Sequence, residues 1–232
     1  MKKLGIIGAM QVEVETLVEA LVEKESHKKA GRTYYTGKLD GLDVVVVQCG
    51  VGKVNAAICA QTLCDHFGVT HLVNTGIAGS LNAQLDIGDL VISTDAMYHD
   101  FDCVHFGYEM GRVPGMDVTG FPADAEMIRL ALAAAEAVHP GHCRQGRIAS
   151  GDLFVAEKAT KEAIIRKTQA LCTEMEGAAI AHTAYLNDVP FVIIRAISDK
   201  ADDSAQMDYP TFEAQAARHC AGVTLALAKN LL

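Results

Sequence analysis

The chain has 232 residues and a formal net charge of −9, with 50% hydrophobic and 21% charged residues. This composition is typical of a compact protein, and the acidic balance disfavours binding to nucleic acid or an anionic membrane. No apolar stretch reaches the ~18 residues of a membrane helix. The N-terminal apolar run ends too early, at Gln11 and Glu13, for a signal peptide. Seven cysteines without a CxxC pair predict reduced thiols and a cytoplasmic location.

Strands and helices are predicted to alternate along the chain. Apolar runs predict strands at 3–9, 32–39, 42–49, 70–76, 87–94, 144–150, 170–175 and 189–197. Apolar periodicity predicts helices after the first strand and at 53–67, 124–138, 157–168, 177–186 and 210–230. The segment 98–122 lacks periodicity and predicts a long ordered loop. The pattern indicates one α/β domain over residues 1–232, a three-layer sandwich with helices on both faces of a central mixed, largely parallel sheet.

The last predicted strand ends in polar residues. Arg195, Ser198 and Asp199 follow the apolar run 191–194. A fully apolar run is typical of a strand covered on both faces. Ligand crevices in open α/β sheets lie beyond the carboxyl ends of such strands. Asp199 is therefore a candidate acid or base, although it could equally cap the next segment.

Two stretches rich in small residues suggest close contact with a ligand. GVGK at 50–53 fails the Walker pattern, because valines stand at positions 47 and 54, and it fails the dinucleotide fingerprint at Asn55. Its glycines still permit close backbone approach at a helix N-terminus, although a tight turn alone is slightly favoured. Residues 75–79 (TGIAG) predict a second small-residue turn at a strand end. Together the two turns predict the floor of a cavity.

Carboxylates follow two other strands. Glu174 and Glu176 share one face of an extended strand, or Glu176 stands at the start of a helix. A carboxylate there can accept hydrogen bonds from sugar hydroxyls or simply stabilise a helix N-terminus. Glu13, after the first strand, is a candidate on similar grounds, although an exposed helix-start glutamate is commoner. The His, Asp and Cys residues of 99–105 match no metal-ligand spacing, so we expect no metal site there.

Seven stretches, in order and register, resemble the 5'-methylthioadenosine/S-adenosylhomocysteine nucleosidases of the nucleoside phosphorylase superfamily. They cover nearly the whole chain and read GIIGAMxxEV at 5–14, GVGKVNAA at 50–57, NTGIAGSL at 74–81, YHDFDCVHFGYEMGRVPG at 98–115, SGDLFV at 150–155, EMEGAAIAH at 174–182 and PFVIIRAISDKAD at 190–202. The resemblance implies a nucleoside phosphorylase-like fold. It also implies cleavage of the N-glycosidic bond of adenine nucleosides in methionine salvage, without a metal or organic cofactor.

The resemblance also implies roles for individual residues. Asp199 looks like the general acid for adenine N7, and Glu13 looks like the base that activates water. Glu176 would hold the ribose hydroxyls. The remaining substrate-binding positions would be Met10, Val51, Gly79, Phe154, Val155, Met175, Arg195, Ser198 and Tyr209. Loop residues Phe106, Tyr108 and Pro114 match those that close the 5'-tail pocket of a neighbouring subunit, which implies a homodimer.

Three residues depart from the family pattern. Ile77 and Ser80 replace smaller residues of a TGxAGG turn, and Tyr209 stands where Phe is common. These departures concern the preference among 5'-substituents and leave the carboxylates intact. The alternatives to a hydrolase are a purine nucleoside or methylthioadenosine phosphorylase, a futalosine-type nucleosidase and a catalytically silent nucleoside-binding protein. The charge of Glu13 would repel phosphate, which disfavours the phosphorylase.

Overall fold

The computed structural model describes residues 2–202 and 204–231, apart from the side chains of residues 206 and 207. Ten strands lie in this part of the chain: β1 Lys3–Gly8, β2 Val22–Lys29, β3 Arg32–Leu39, β4 Leu42–Gln48, β5 His71–Ser80, β6 Leu90–Tyr98, β7 Phe121–Pro122, β8 Cys143–Ser150, β9 Cys172–Glu174 and β10 Phe191–Asp199. Six α-helices accompany them: α1 Gln11–Ala20, α2 Lys53–Asp65, α3 Ala125–Val138, α4 Lys158–Thr168, α5 Gly177–Leu186 and α6 Ala205–Asn230. The predicted alternation of strands and helices is confirmed.

All ten strands belong to one mixed sheet. Its order is β10-β6-β8-β9-β5-β1-β4-β3-β2, with β7 paired to β6. A further parallel pairing joins β10 to β5, so that β5, β9, β8, β6 and β10 close into a ring. The parallel neighbours β1, β5 and β10 bring their carboxyl ends to the same edge. This edge is where α/β sheets bind ligands.

Helices cover both faces of the sheet, which confirms the predicted three layers. The helices α1, α3 and α6 pack on one face, against residues such as Leu4, Val46 and Ile194. The helices α2 and α5 pack on the other face, against Ile7 and Ile193. The apolar runs of β1, β4 and β10 are buried from both sides, as expected of strands between two helical layers. The single-domain organisation stays a prediction.

Two elements, β2 and α6, differ most clearly from the sequence expectations. The edge strand β2 (VEKESHKK) was not expected, since it is almost wholly exposed and charged. It is held by pairing with β3, and its charges protect the edge from pairing with other chains. The helix α6 begins at Ala205 rather than at residue 210, with Pro210 inside it. Proline is typical of a helix start, which explains the error.

The predicted small-residue turn at 75–79 is wrong, because these residues continue β5 to Ser80. Strands pair with this segment on both sides, and neither Gly76 nor Gly79 has a positive φ. A Cβ on Gly76 would lie 2.5 Å from Glu13 Oε1, and a Cβ on Gly79 would lie 2.9 Å from Asp199 Oδ1. These glycines therefore make room for two buried carboxyl groups rather than for a turn.

The segment predicted as a long loop is largely irregular. It holds only a short 3₁₀ helix, Val104–Phe106, and the two-residue strand β7. Asp100 ties the segment to the start of α2, since its Oδ2 accepts a hydrogen bond from Lys53 Nζ at 2.6 Å. No helix in the described ranges is both long and apolar enough to cross a membrane.

Candidate active site

A cavity lies at the carboxyl ends of β1, β5, β9 and β10. It is lined by Ala9, Met10, Glu13, Val51, Ile77, Ala78, Gly79, Phe154, Thr173, Glu174, Met175, Glu176, Ser198, Asp199 and Tyr209. These residues come from seven separate stretches of sequence. The cavity therefore brings together Glu13, Glu176 and Asp199, the three carboxyl groups selected from the sequence.

Glu13 stands in the first turn of α1, and its side chain turns inward. Its Oε2 accepts hydrogen bonds from the backbone N–H groups of Ala9 at 2.7 Å and Met10 at 2.9 Å. Its Oε1 accepts the N–H of Ile77 at 3.0 Å. Burial raises the pKa of Glu13, while Arg195 and the three N–H donors act in the opposite direction. The expectation of an exposed helix-start glutamate is excluded, because this residue is 3% exposed.

Asp199 ends β10 beside a β-bulge. The register between β10 and β5 shifts between Ile197 and Asp199, which leaves Ser198 as an extra residue. Strict alternation would point Ser198 and Asp199 to opposite faces, whereas the bulge lets both line the cavity.

The carboxyl group of Asp199 is held by two donors. Ser198 Oγ donates to Oδ2 at 2.8 Å, and the backbone N–H of Ala201 donates to Oδ1 at 2.7 Å. Burial nevertheless raises the pKa of Asp199. A carboxyl group with a raised pKa retains its proton nearer to neutral pH, which suits a general acid.

A charged cluster lies along one wall of the cavity. Arg195 is 2% exposed, and its Nη2 donates to Glu174 Oε2 and to Asn74 Oδ1 at 2.5 Å. Glu176 Oε2 lies 4.0 Å from the same nitrogen. Ser150 Oγ donates to Glu174 Oε1, so both oxygens of Glu174 are engaged.

Glu176 occupies the N-cap position of α5, which resolves the alternatives left by the sequence. Its Oε1 accepts the backbone N–H of Gly52 at 2.8 Å. Burial and repulsion by Glu174 raise the pKa of Glu176, whereas Arg195 acts to lower it. Three buried carboxyl groups, Glu13, Glu174 and Glu176, thus surround one guanidinium. When these groups are ionised, the cluster carries an excess of negative charge that favours a cation inside the cavity.

The other predicted binding residues divide into two groups. Met10, Val51, Gly79, Phe154, Met175 and Tyr209 line the cavity. The hydroxyl of Tyr209 lies 3.1 Å from Met10 Sδ, and its ring meets Phe154 edge to face at 5.6 Å between centroids. Arg195 and Val155 are buried behind the wall and do not line the cavity.

The three loop residues stand apart from the cavity. Phe106 is 83% exposed and Tyr108 is 37% exposed, and Pro114 is also exposed. None of the three lines the cavity of its own chain. Among the residues described, no group of three or more His, Cys, Asp or Glu side chains is placed to hold a metal ion.

Three polar residues of the site were not selected from the sequence. Glu174 was noted as a carboxylate but given no role, yet it holds Arg195. Ser150 positions Glu174 and also accepts the N–H of Ala178 at 2.7 Å. Thr173 contributes a buried hydroxyl to the cavity wall. Their position at the ends of β8 and β9 was the available signal, since polar residues there end apolar strands at the ligand-binding edge.

Comparisons with known proteins agree with this geometry. A family model described as the phosphorylase superfamily matches residues 3–229. A relative from Chromohalobacter salexigens, named 5'-methylthioadenosine/S-adenosylhomocysteine nucleosidase, is 40% identical over 100% of this chain and 98% of its own. The crystal structure of an S-adenosylhomocysteine nucleosidase from Streptococcus pyogenes, in complex with 5-methylthiotubericidin, has a TM-score of 0.96 and 34% identity, covering 100% of this chain and 98% of that one.

A third neighbour carries another name. The native structure of a futalosine hydrolase from Helicobacter pylori has a TM-score of 0.94 at 30% identity, covering 99% of this chain and 98% of that one. The fold and the carboxyl-lined cavity place the chain in the phosphorylase superfamily. Within that superfamily it belongs to the 5'-methylthioadenosine/S-adenosylhomocysteine nucleosidase family.

Proposed function

We propose that this chain hydrolyses the N-glycosidic bond of 5'-methylthioadenosine and S-adenosylhomocysteine, releasing adenine and the 5-substituted ribose. The observation that carries the proposal is the shared cavity of Glu13 and Asp199. Cleavage of this bond needs an acid at the purine and a base for water on the far side of the sugar. 5'-Deoxyadenosine fits the same scheme, since it differs only in the 5' group.

Asp199 acts as the acid in this proposal. The bond between C1' and N9 breaks with its electrons moving into the adenine ring, and Asp199 donates a proton to N7 to neutralise the leaving group. The hydroxyl of Ser198 and the N–H of Ala201 orient the carboxyl group and stabilise the carboxylate that remains. Phe154 stacks on the base. The backbone contact predicted for Val155 requires residues 154–155 to move towards the ligand, because Val155 does not line the unliganded cavity.

The sugar becomes cationic as the bond breaks. In their ionised forms Glu13, Glu174 and Glu176 outnumber the single charge of Arg195, and this excess stabilises that cation. Glu176 binds the ribose hydroxyls, and Met175 packs beside the ring. Glu13 removes a proton from a water molecule, whose oxygen then bonds to C1'. The Ala9, Met10 and Ile77 N–H groups fix Glu13 in place for this step.

A phosphorylase is less well supported because the cavity offers little to an anion. Its described lining residues include four carboxyl groups and no Lys or Arg. Arg195 lies behind the wall and is engaged by Glu174 and Asn74. Phosphate would therefore meet repulsion from Glu13 without a compensating basic side chain.

The deciding experiment incubates the purified protein with 5'-methylthioadenosine with and without phosphate. Free adenine and methylthioribose in phosphate-free buffer are the expected products. Strict dependence on phosphate, with a sugar 1-phosphate as product, would replace the hydrolase by a phosphorylase. No adenine under either condition would favour a silent nucleoside-binding protein.

Futalosine is the second candidate substrate, because the neighbour named futalosine hydrolase shares the fold over nearly the whole chain. Futalosine carries a different 5' group and hypoxanthine in place of adenine, so both Tyr209 with the loop residues and the base pocket bear on the preference. The same assay with futalosine, S-adenosylhomocysteine and methylthioadenosine ranks the substrates by kcat/KM.

The proposal includes a homodimer in which loop residues of one subunit complete the cavity of the other. Phe106 is 83% exposed, and Val51 and Phe154 at the cavity are about half exposed. Apolar side chains exposed near a ligand cavity are typical of an interface. Sedimentation equilibrium should give twice the monomer mass, and Phe106→Ala should raise KM. A monomer with full activity would contradict this part.

Cellular placement and domain organisation follow from the same proposal. All seven cysteines are free thiols, consistent with a reducing cytoplasm, where methionine salvage would use the products. Fluorescence microscopy of the tagged chain tests the compartment. One cooperative unfolding transition would support a single domain.

A further inference from the structure

Thr173 stands in one row with two residues of the cavity. On β5, Gly79 pairs with Thr173 of β9 on one side and with Asp199 of β10 on the other. Directly paired residues on neighbouring strands project to the same face of a sheet. Thr173 and Asp199 therefore lie on either side of Gly79, which has no side chain. With a strand spacing of ~4.8 Å, their Cα atoms are about 9.6 Å apart.

The hydroxyl of Thr173 has no partner. The residue is 5% exposed and lines the cavity, and its Oγ1 is one of the buried polar atoms without a hydrogen bond in the described structure. Other buried threonines differ: Thr168 Oγ1 donates to Ile164 O at 2.8 Å and accepts the N–H of Ala170 at 3.2 Å. Burying a hydroxyl without a partner is unfavourable, so its presence in a ligand cavity points to a bond formed with the ligand.

The two residues paired with Thr173 offer its hydroxyl no polar side chain, since they are Gly79 on β5 and Ala149 on β8. Ala149 clusters with Val155 and Ala201 in an apolar group. When adenine N7 meets Asp199, the opposite edge of the base points away from that carboxyl group. This edge holds N1, C2 and N3, and it faces Thr173 across Gly79.

We propose that the Thr173 hydroxyl donates a hydrogen bond to a ring nitrogen on the C2 edge of the bound adenine, N1 or N3, and thereby selects the base. This inference rests on the proposed function, because it assumes that Asp199 meets N7. Valine has nearly the shape of threonine without the hydroxyl. Thr173→Val therefore tests the bond with little change in packing, and Thr173→Ser retains the donor.

The experiment measures kcat and KM for 5'-methylthioadenosine and for its 1-deaza and 3-deaza analogues. Thr173→Val should lose about 3- to 10-fold in kcat/KM, mainly through KM, as expected for one neutral hydrogen bond. Thr173→Ser should retain most of the activity. The loss should vanish for whichever deaza analogue lacks the partner nitrogen. A loss of equal size with both analogues would overturn the proposal, as would no loss for methylthioadenosine.

Thermal unfolding separates ligand binding from a structural role. The melting temperature of ligand-free Thr173→Val should be equal to or higher than that of the wild type, while its increase on adding adenine should shrink. Thr168→Val is the matched control, which should unfold at a lower temperature with unchanged KM. A lower melting temperature for Thr173→Val with normal KM would assign it a structural role. If the wild type cleaves none of these nucleosides, the proposed function fails, while calorimetry of adenine binding still tests Thr173.

Discussion

The Oε1 atom of Glu13 accepts the backbone N–H of Ile77 at 3.0 Å, which joins the first turn of α1 to the interior of β5. The other oxygen of Glu13 is bound by two further N–H groups. The carboxylate is thus fixed by backbone groups rather than by flexible side chains. A base held in this way needs no reorganisation when water is activated.

Replacing Asp199 by asparagine should reduce kcat/KM by at least ~100-fold, because the acid is removed. The asparagine oxygen can accept the N–H of Ala201, and the Ser198 hydroxyl can rotate to accept from the amide. The variant should therefore fold, which circular dichroism and steady-state kinetics together would establish. The exposed Asp40→Asn variant is the matched control, since asparagine tolerates its φ of 48°. Near-normal turnover by Asp199→Asn would remove Asp199 from the mechanism.

Glu13→Gln should stop hydrolysis and leave substrate binding largely intact. Both oxygens of Glu13 accept backbone N–H groups, whereas glutamine offers only one oxygen. Its amide group must therefore face an N–H donor, at a cost of about 1–3 kcal/mol. We expect Glu13→Gln to unfold at a lower temperature than Asp199→Asn. Calorimetry with a nucleoside analogue should give a Kd near that of the wild type, and loss of binding with unchanged turnover would argue against the role of Glu13 as base.

Glu176 should make the protein less stable as the pH rises. Burial and Glu174 raise its pKa in the folded state, so the folded state holds the proton more tightly than the unfolded state. Its stabilising effect is present below the ordinary glutamate pKa and is lost as the pH rises through the folded-state pKa. The melting temperature of Glu176→Gln should therefore increase relative to that of the wild type as the pH rises from 4 to 9. Each kcal/mol of difference in the free energy of unfolding corresponds to about 2–4 °C. The exposed Glu19→Gln variant is the control and should show no such increase. A melting-temperature difference between Glu176→Gln and the wild type that does not change with pH would contradict the expectation.

Gly76→Ala should inactivate the enzyme although it replaces none of the reacting side chains. The added Cβ would lie 2.5 Å from Glu13 Oε1 and would also collide with the guanidinium of Arg195. Displacing these buried groups should reduce kcat by about 100-fold, since misplacement by ~1 Å can have that effect. Gly222→Ala, whose Cβ would lie 3.4 Å from Val138, is the matched control. It should keep full activity, and normal kinetics for Gly76→Ala would show that Glu13 can move freely.

Much of the fold could be predicted from local patterns. Apolar runs gave β1, β4 and β10, and the helix 177–186 was predicted at the observed bounds. The ring closed by β10 and β5 could not be predicted, because it depends on pairing between residues more than a hundred positions apart. The bulge at Ser198 could not be predicted either, since nothing in the local sequence ISD marks an extra residue.

The carboxyl groups of the site could be predicted from the sequence more readily than its neutral residues. Glu13, Glu176 and Asp199 follow apolar strands, which is a readable signal. Gly76 and Gly79 suggested a turn, because glycine usually marks one, yet here they give space to side chains from other strands. The partner-free hydroxyl of Thr173 is visible only when the surrounding strands are in place.

A crystal structure of Glu13→Gln with 5'-methylthioadenosine is the most direct test of whether one nucleoside lies between Glu13 and Asp199. The account predicts Asp199 within about 2.6–3.2 Å of adenine N7, with residue 13 facing C1' across a site for water. A nucleoside bound elsewhere, or one whose N7 points away from Asp199, would contradict it.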